Sequence, residues 1–147
     1  MTYKKQGIIA SVSLLLSSLL IVSVYTKDTC PIKRQNTSSI IELRSTSQFD
    51  DLINPQSGNV VVKFFATWCP PCKLLSKTIH DTLAPQYAGR VRFVEVDIDR
   101  FPTIQKKYKV TSFPTLIYFK NGKKIYSSSG NDKAGKISAD LDRQFNV

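Results

Sequence analysis

A short apolar segment that leads directly into two closely spaced cysteines sets the strictest limit on the fold. Residues 60–65 read VVVKFF and are apolar except for one lysine, which is typical of a strand covered on both faces. The next residues include Cys69 and Cys72, and apolar residues at helical spacing follow them. A covered strand that runs into a helix indicates an α/β domain in which parallel strands pair first.

Strands and helices alternate through the rest of the chain. Strands are predicted at residues 40–43, 60–65, 91–97, 115–119 and 124–128. Helices are predicted after a cap at Ser45 or Ser47, after the cysteines up to a bend or end at Pro85, at residues 103–108 and at residues 134–145. Asn121-Gly122 is a strong hairpin signal between the last two strands. The order βαβαβαββα predicts a central mixed sheet flanked by helices, with an antiparallel hairpin at one edge.

An uncharged run of 18 residues, 8–25, precedes the predicted domain. Its length suits a spanning helix better than the apolar part of a secretory signal, which is usually about 7–15 residues. We therefore expect a short basic N-terminus at residues 1–7, a membrane anchor or uncleaved signal at 8–25, a polar tether at 26–38 and a folded domain at 39–147. We expect a single-pass membrane protein whose folded domain is exported, or a secreted protein if the segment is cleaved.

The composition excludes two other kinds of protein. The chain has 147 residues, enough for one ordinary domain, and carries a net charge of +10. Its lysine clusters lack the interleaved aromatic residues of a base-stacking surface, so no nucleic acid partner is expected. Three cysteines and one histidine leave little room for a closed zinc site with four nitrogen or sulfur ligands. We expect no metal and no organic cofactor.

The cysteine pair has a physical role at the start of a helix. Free N–H groups and a partial positive charge at the helix N-terminus stabilise a thiolate, which makes Cys69 nucleophilic near neutral pH. Cys72 lies close enough to attack a mixed disulfide and release the product. A lone Cys-x-x-Cys pair could also be half a zinc site, but the chain offers no second pair. His80, farther along the same helix, is expected to be a surface histidine.

Two segments carry a resemblance to a known family. The sequences FFATWCPPCK at residues 64–73 and SFPTLIYFKNGK at residues 112–123 resemble the thioredoxin family, and the similarity extends from about residue 40 to residue 145. The resemblance implies a thioredoxin fold, a redox disulfide between Cys69 and Cys72, Cys69 as the attacking thiol and Cys72 as the resolving thiol. It also implies protein disulfide or dithiol clients and an upstream thiol reductant as partners.

The resemblance further implies a groove for the client chain. Pro114 occupies the position of the family's cis-proline, Trp68 would shield the disulfide, and Gly130 matches a glycine of the groove. The remaining groove residues are expected to be Pro70, Pro71 and Phe113.

Three positions depart from the family pattern. Pro70-Pro71 stands where typical members have Gly-Pro, and Lys77 stands where the helix usually carries a kinking proline. Lys63 replaces a buried acid, and Glu95 is its expected partner, which would reverse the charges of an acid–base pair. Lys63 and Glu95 are therefore candidates for charge or proton control of the cysteines. Lys63 could act as a cation or as a neutral proton acceptor, or could extend to the surface and do neither.

These features predict a membrane-tethered thiol–disulfide oxidoreductase that reduces protein disulfides through Cys69 and Cys72. The reducing direction is favoured because no histidine lies between the two cysteines to stabilise the thiolate further. The alternatives are a non-catalytic binding module and an oxidase or isomerase, since direction depends on redox potential and compartment. Cys30, in the expected tether, is predicted to lie outside the catalytic cycle.

Overall fold

Five strands and five helices make up the computed structural model, which describes residues 40–147. The strands are β1 (Ile40–Glu42), β2 (Asn59–Phe65), β3 (Arg92–Asp97), β4 (Thr115–Lys120) and β5 (Lys123–Ser129). The helices are α1 (Thr46–Leu52), α2 (Pro70–Thr78), α3 (Ala84–Gln86), α4 (Pro102–Lys107) and α5 (Ala134–Phe145), and one π-helical turn (Ile79–Leu83) joins α2 to α3.

The strands form one sheet in the order β1-β3-β2-β4-β5. The β1–β3 and β3–β2 pairs are parallel, and the β2–β4 and β4–β5 pairs are antiparallel. The predicted mixed sheet with a hairpin at one edge is confirmed. Asn121 and Gly122 in the hairpin both have positive φ angles, 50° and 78°, as a tight two-residue turn between twisted strands requires.

Alternate residues of the central strand β2 enter two separate cores. Val60, Val62 and Phe64 pack in a core with Phe49 of α1. Val61 packs in the opposite core, whose helical members come from the α2–α3 segment and α5. Because successive side chains of a strand point to opposite faces, a nearly continuous apolar run is what a strand between two helical layers needs.

The helix after the cysteines passes Pro85 by changing its winding. The sequence predicts a bend or an end at Pro85, whereas α2 ends earlier, at Thr78, and the helical path continues past the proline to Gln86. The Ala84 amide donates to the Ile79 carbonyl, five residues back. A wider turn accommodates proline because the ring lacks an N–H group and crowds the carbonyl four residues earlier.

The predicted membrane location is contradicted. Among residues 40–147, no helix is long and apolar enough to cross a membrane. Helix α5 has 12 residues, whereas a spanning helix needs about 20. The prediction of a single-pass membrane protein, or of a secreted protein after cleavage, is therefore wrong. The predicted segments 1–7, 8–25 and 26–38, with Cys30, lie outside the described residues.

Candidate active site

A disulfide between Cys69 and Cys72 lies at the N-terminus of α2, just beyond the carboxyl end of β2. The two Cα atoms are 5.3 Å apart. Cys69 is the N-cap residue, and its amide donates to the Ala66 carbonyl at 3.2 Å, which closes the turn that links strand to helix. The sequence-predicted pair is thus brought together where a buried strand meets a helix.

The helix presents one amide to the sulfur of Cys69. The Cys72 N–H donates to Cys69 Sγ at 3.3 Å, which is the usual side-chain contact of an N-cap residue. Pro70 and Pro71, at the first two helical positions, have no N–H to donate. Cys69 is 5% exposed and Cys72 is 1% exposed, so the first cysteine of the pair is the more accessible.

The loop before β4 carries Phe113 and Pro114. The peptide bond between Phe113 and Pro114 is cis. The Gly130 N–H donates to the Pro114 carbonyl at 2.8 Å, and Gly130 has a φ of +100°, a conformation that favours glycine. Phe113 packs against the core that contains both cysteines. The structure therefore joins Pro114 and Gly130 by a hydrogen bond, and their place in a client groove stays a prediction.

Trp68 is held at the surface by a residue that sequence reasoning missed. Its side chain is 65% exposed, and its indole N–H donates to Asp99 Oδ2 at 2.9 Å. Its ring meets the ring of Phe113 edge-on, with centroids 6.5 Å apart. Asp99 follows the carboxyl end of β3. Functional residues are common at this edge of a parallel sheet, so the position of Asp99 in the sequence could have indicated a role at the site.

Lys63 lies buried beneath α2 and bonds to Glu95. The two residues are register partners on β2 and β3, and Lys63 Nζ donates to Glu95 Oε1 at 2.7 Å. Nζ also donates to Ser76 Oγ on α2, and Ser76 Oγ lies 3.3 Å from the same Glu95 oxygen. The side chains of Lys63 and Glu95 are 2% and 12% exposed. Lys63 therefore does not extend to the surface.

Burial and attraction act against each other in this pair. Burial lowers the pKa of the Lys63 amine, and the charge and hydrogen bond of Glu95 offset only part of this effect. Burial raises the pKa of the Glu95 carboxyl, but Lys63 and His80 outweigh it, so the Glu95 pKa lies below its ordinary value. Glu95 is therefore a carboxylate at neutral pH, and it accepts the hydrogen bond of Lys63 Nζ.

His80 is a surface histidine with a buried partner. Its side chain is 49% exposed, and Nε2 lies 3.4 Å from Glu95 Oε2. Sequence reasoning missed both His80 and Ser76 as neighbours of the Lys63–Glu95 pair. The signal was their spacing, because Ser76 and His80 follow Cys72 at intervals of four and lie on one side of the helix.

The chain matches the family model described as Thioredoxin over residues 40–143. It is 37% identical over 95 residues to Thioredoxin-2 of Saccharomyces cerevisiae, which covers 65% of this chain and 89% of the yeast protein. It is also 37% identical over 99 residues to thioredoxin of Staphylococcus haemolyticus, covering 67% and 92% of the two chains.

A chloroplast relative is longer than the matched region. The chain is 33% identical over 109 residues to Thioredoxin M2, chloroplastic, of Arabidopsis thaliana, which covers 74% of this chain but 58% of that protein.

Solved structures agree with the observed fold. Thioredoxin of Malassezia sympodialis (Mala s 13) superposes with a TM-score of 0.66 at 30% identity, covering 73% of this chain and 91% of that one. A mutant thioredoxin of Halobacterium salinarum has a TM-score of 0.66 at 22% identity, covering 74% and 92%, and supports the fold alone.

Proposed function

Because this chain belongs to the thioredoxin family and carries the cysteine pair of a thiol–disulfide oxidoreductase, we propose that it reduces disulfide bonds in client proteins. The observation that carries the proposal is the disulfide at the N-cap of α2. One of its sulfurs accepts a helix amide, and Phe113 packs against the core that contains both cysteines. Its clients are proteins with disulfide bonds, and its upstream reductant is a dithiol.

The proposed cycle exchanges one disulfide for another. In the reduced protein, the Cys69 thiolate attacks a client disulfide, forms a Cys69–client bond and expels one client sulfur, which takes up a proton. Cys72 then loses its proton and attacks Cys69 Sγ. The Cys69–Cys72 bond forms, and the second client sulfur leaves with the bonding electron pair and is protonated. Two electrons pass to the client, and an upstream dithiol restores the pair.

The accessible surface beside the disulfide supports a client that is an extended protein chain. Trp68 and Leu74 are large apolar side chains that are 65% and 59% exposed on either side of the cysteines in sequence. Exposed apolar groups near a reactive centre are typical of a binding surface. Trp68, Pro70, Pro71, Phe113, Pro114 and Gly130 are the residues that we assign to this groove.

We assign Lys63, in its charged form, to control of the cysteine thiolates, with Glu95 as its counter-ion. Lys63 bonds to Ser76, and Ser76 lies one helical turn after Cys72 on α2. A positive charge under this turn favours a thiolate over a thiol, and so favours the reduced state of the pair. The 2.7 Å contact with Glu95 supports the charged form over a neutral proton acceptor.

Two cysteine variants of the full-length protein test the cycle. Cys69→Ser removes the attacking sulfur and is expected to abolish reduction of insulin disulfides by a small dithiol. Cys72→Ser leaves the attack intact but removes the resolving sulfur, so it is expected to accumulate mixed disulfides visible on non-reducing gels. Cys30→Ser is the control and should retain wild-type turnover.

Three results would contradict this proposal. Turnover at the rate of the dithiol alone, with the fold verified by circular dichroism, would favour a non-catalytic binding module. Trapping by Cys69→Ser in place of Cys72→Ser would reverse the two cysteine roles. A reduction potential of the Cys69–Cys72 pair near about −120 mV, the value of a strong oxidant, would make the protein an oxidase, whereas a value near about −270 mV is expected of a reductase.

A further inference from the structure

The Glu95 carboxylate joins a buried amine to a half-exposed imidazole. Oε1 accepts a hydrogen bond from Lys63 Nζ at 2.7 Å, and Oε2 lies 3.4 Å from His80 Nε2. The proposed chemistry of the cysteines needs no histidine, and His80 is the one histidine of the chain. When the imidazole is neutral, Lys63 is the cation that pairs with the Glu95 carboxylate. When the imidazole is protonated, the carboxylate interacts with two cations, Lys63 and His80.

We propose that His80 is a positioning residue that couples the reactivity of the Cys69–Cys72 pair to pH by competing with Lys63 for the Glu95 carboxylate. The inference rests on the proposed function for the identity of Cys69 as the thiolate. Protonation of His80 adds a positive charge to the cluster of Lys63, Glu95 and Ser76. The field at the cysteines becomes more positive, so the Cys69 thiolate is favoured.

The route from His80 to the cysteines is short and shielded from water. His80 follows Cys72 by eight residues, which is about 12 Å along a helix. Ser76 lies between the two on the helical path and accepts a hydrogen bond from Lys63, whose side chain is 2% exposed. Charges interact more strongly through such a buried path than through solvent. Histidine is also the side chain whose charge ordinarily changes between pH 5 and 8.

Several other charged groups lie on the elements around this cluster, and some of them have partners of their own. Glu42, the β1 register neighbour of Glu95, bonds to Arg100 at 3.1 Å, and Lys77 bonds to Asp81 at 2.6 Å. The Lys63 neighbour on β4 is the apolar Leu116. The further charged groups include Lys73 on α2, Arg92 on β3, and Asp97 at the end of β3, which accepts from the Asp99 amide. On α5 they include Asp140, beside Lys136 and Arg143, and Asp142, which is bonded to Tyr87.

Linkage between His80 and the cysteines is reciprocal. If a charged His80 favours the thiolate, then the thiolate favours a charged His80 by the same free energy. His80 is therefore expected to titrate at a higher pH in the reduced protein than in the disulfide form.

Proton NMR of the single histidine measures this difference directly. Full-length Cys30→Ser protein, in which only one cysteine pair remains, is titrated from pH 5 to 8 in its oxidised form and in its dithiol-reduced form. The midpoint should be higher in the reduced form, and Glu95→Gln should remove most of the difference. Lys77→Gln is the matched control, because it removes a charge from the same helix without touching Glu95, and it should keep the difference. Equal midpoints in the two redox forms would overturn the inference.

A second measurement stands even if Glu95→Gln does not fold. The rate at which iodoacetamide alkylates Cys69 is recorded against pH for wild type and for His80→Gln, whose substituted side chain is half exposed. Both proteins should show the change in alkylation rate that comes from the titration of Cys69 itself. Wild type should show a further inflection between pH 5 and 8, which His80→Gln should lack. Superimposable profiles would overturn the inference. Neither readout depends on turnover, so a protein with shifted midpoints and no insulin reduction would refute only the proposed function.

Discussion

At the scale of single residues, the two prolines between the cysteines decide which helix amides face the Cys69 sulfur. An N-cap side chain accepts hydrogen bonds from the second and third helical residues. Here these are Pro71, which has no N–H, and Cys72, whose N–H lies 3.3 Å from Sγ. Half of the usual amide stabilisation is therefore absent, and the thiolate is less favoured than at a helix start without proline.

Pro71→Ala is expected to make the Cys69–Cys72 pair more oxidising. The new amide can donate a hydrogen bond to the Cys69 thiolate, and its bond to a disulfide sulfur is weaker. The substitution therefore stabilises the reduced state more than the oxidised state. A hydrogen bond of about 0.5–1.5 kcal/mol corresponds to a rise in reduction potential of roughly 10–30 mV. Equilibration with a dithiol of known potential measures the shift. Pro70→Ala is the control, because the first helical amide does not reach the N-cap side chain; an equal rise in both variants would refute this explanation.

At the scale of elements, the β4–β5 turn is fixed by the backbone that packs over Gly122. A Cβ atom at Gly122 would lie 2.7 Å from the Ile53 carbonyl oxygen and 2.9 Å from the Asn54 carbonyl carbon. The φ of Gly122 is +78°, which non-glycine residues adopt only at a cost. The hairpin is thus fitted against the loop between α1 and β2.

Gly122→Ala is expected to lower the free energy of unfolding by about 2–4 kcal/mol, through backbone conformation and steric overlap together. Gly89→Ala is the matched control. Gly89 has a φ of +76°, but a Cβ there would meet nothing within 4 Å, so only the conformational part, about 1–2 kcal/mol, should be lost. Urea unfolding of both variants separates the two effects. Equal losses would show that the loop yields to the added methyl group.

The elements themselves were largely predictable, and their contacts were not. The apolar run of β2, the serine before α1 and Asn121-Gly122 predicted the order of strands and helices, because each is a local signal. The meeting of Lys63 and Glu95 could be expected from neighbouring strands. Their contacts with Ser76 and His80 depend on how α2 docks on the sheet and on side-chain rotamers, which no local pattern specifies. The π-helical turn accommodates Pro85, which the sequence does show, but its bounds also depend on how Ile79 and Leu83 pack in the core beside α5.

At the scale of the whole molecule, a buried ion pair is a risk to stability when either partner is removed. Glu95→Gln would leave the Lys63 ammonium, 2% exposed, without its counter-ion. We expect this variant to lose about 3 kcal/mol of unfolding free energy. The double variant Lys63→Met with Glu95→Gln removes both charges and should recover most of the loss, because a thioether of similar length fills the same space.

Urea unfolding of the oxidised wild type, both single variants and the double variant closes this cycle. The control pair is Lys77→Met with Asp81→Asn. The wild-type side chains at these positions are 79% and 56% exposed, so loss of their ion pair should change the free energy of unfolding by less than about 1 kcal/mol. Additive losses at Lys63 and Glu95 would mean that the pair contributes no interaction of its own.

Strand β5 also affects whether copies of the domain associate edge to edge. It is an outer strand of the sheet and pairs on one side with β4. Its sequence, KKIYSSS, opens with two exposed lysines and ends in three serines, and the ladder to β4 is irregular between Tyr118 and Phe119. A second copy added parallel to this edge would bring lysines together, and one added antiparallel would set lysines against serines and gain little apolar burial. Among residues 40–147 no strand pairs with the outer edge of β5, and its lysines and serines oppose fibre growth there at high concentration.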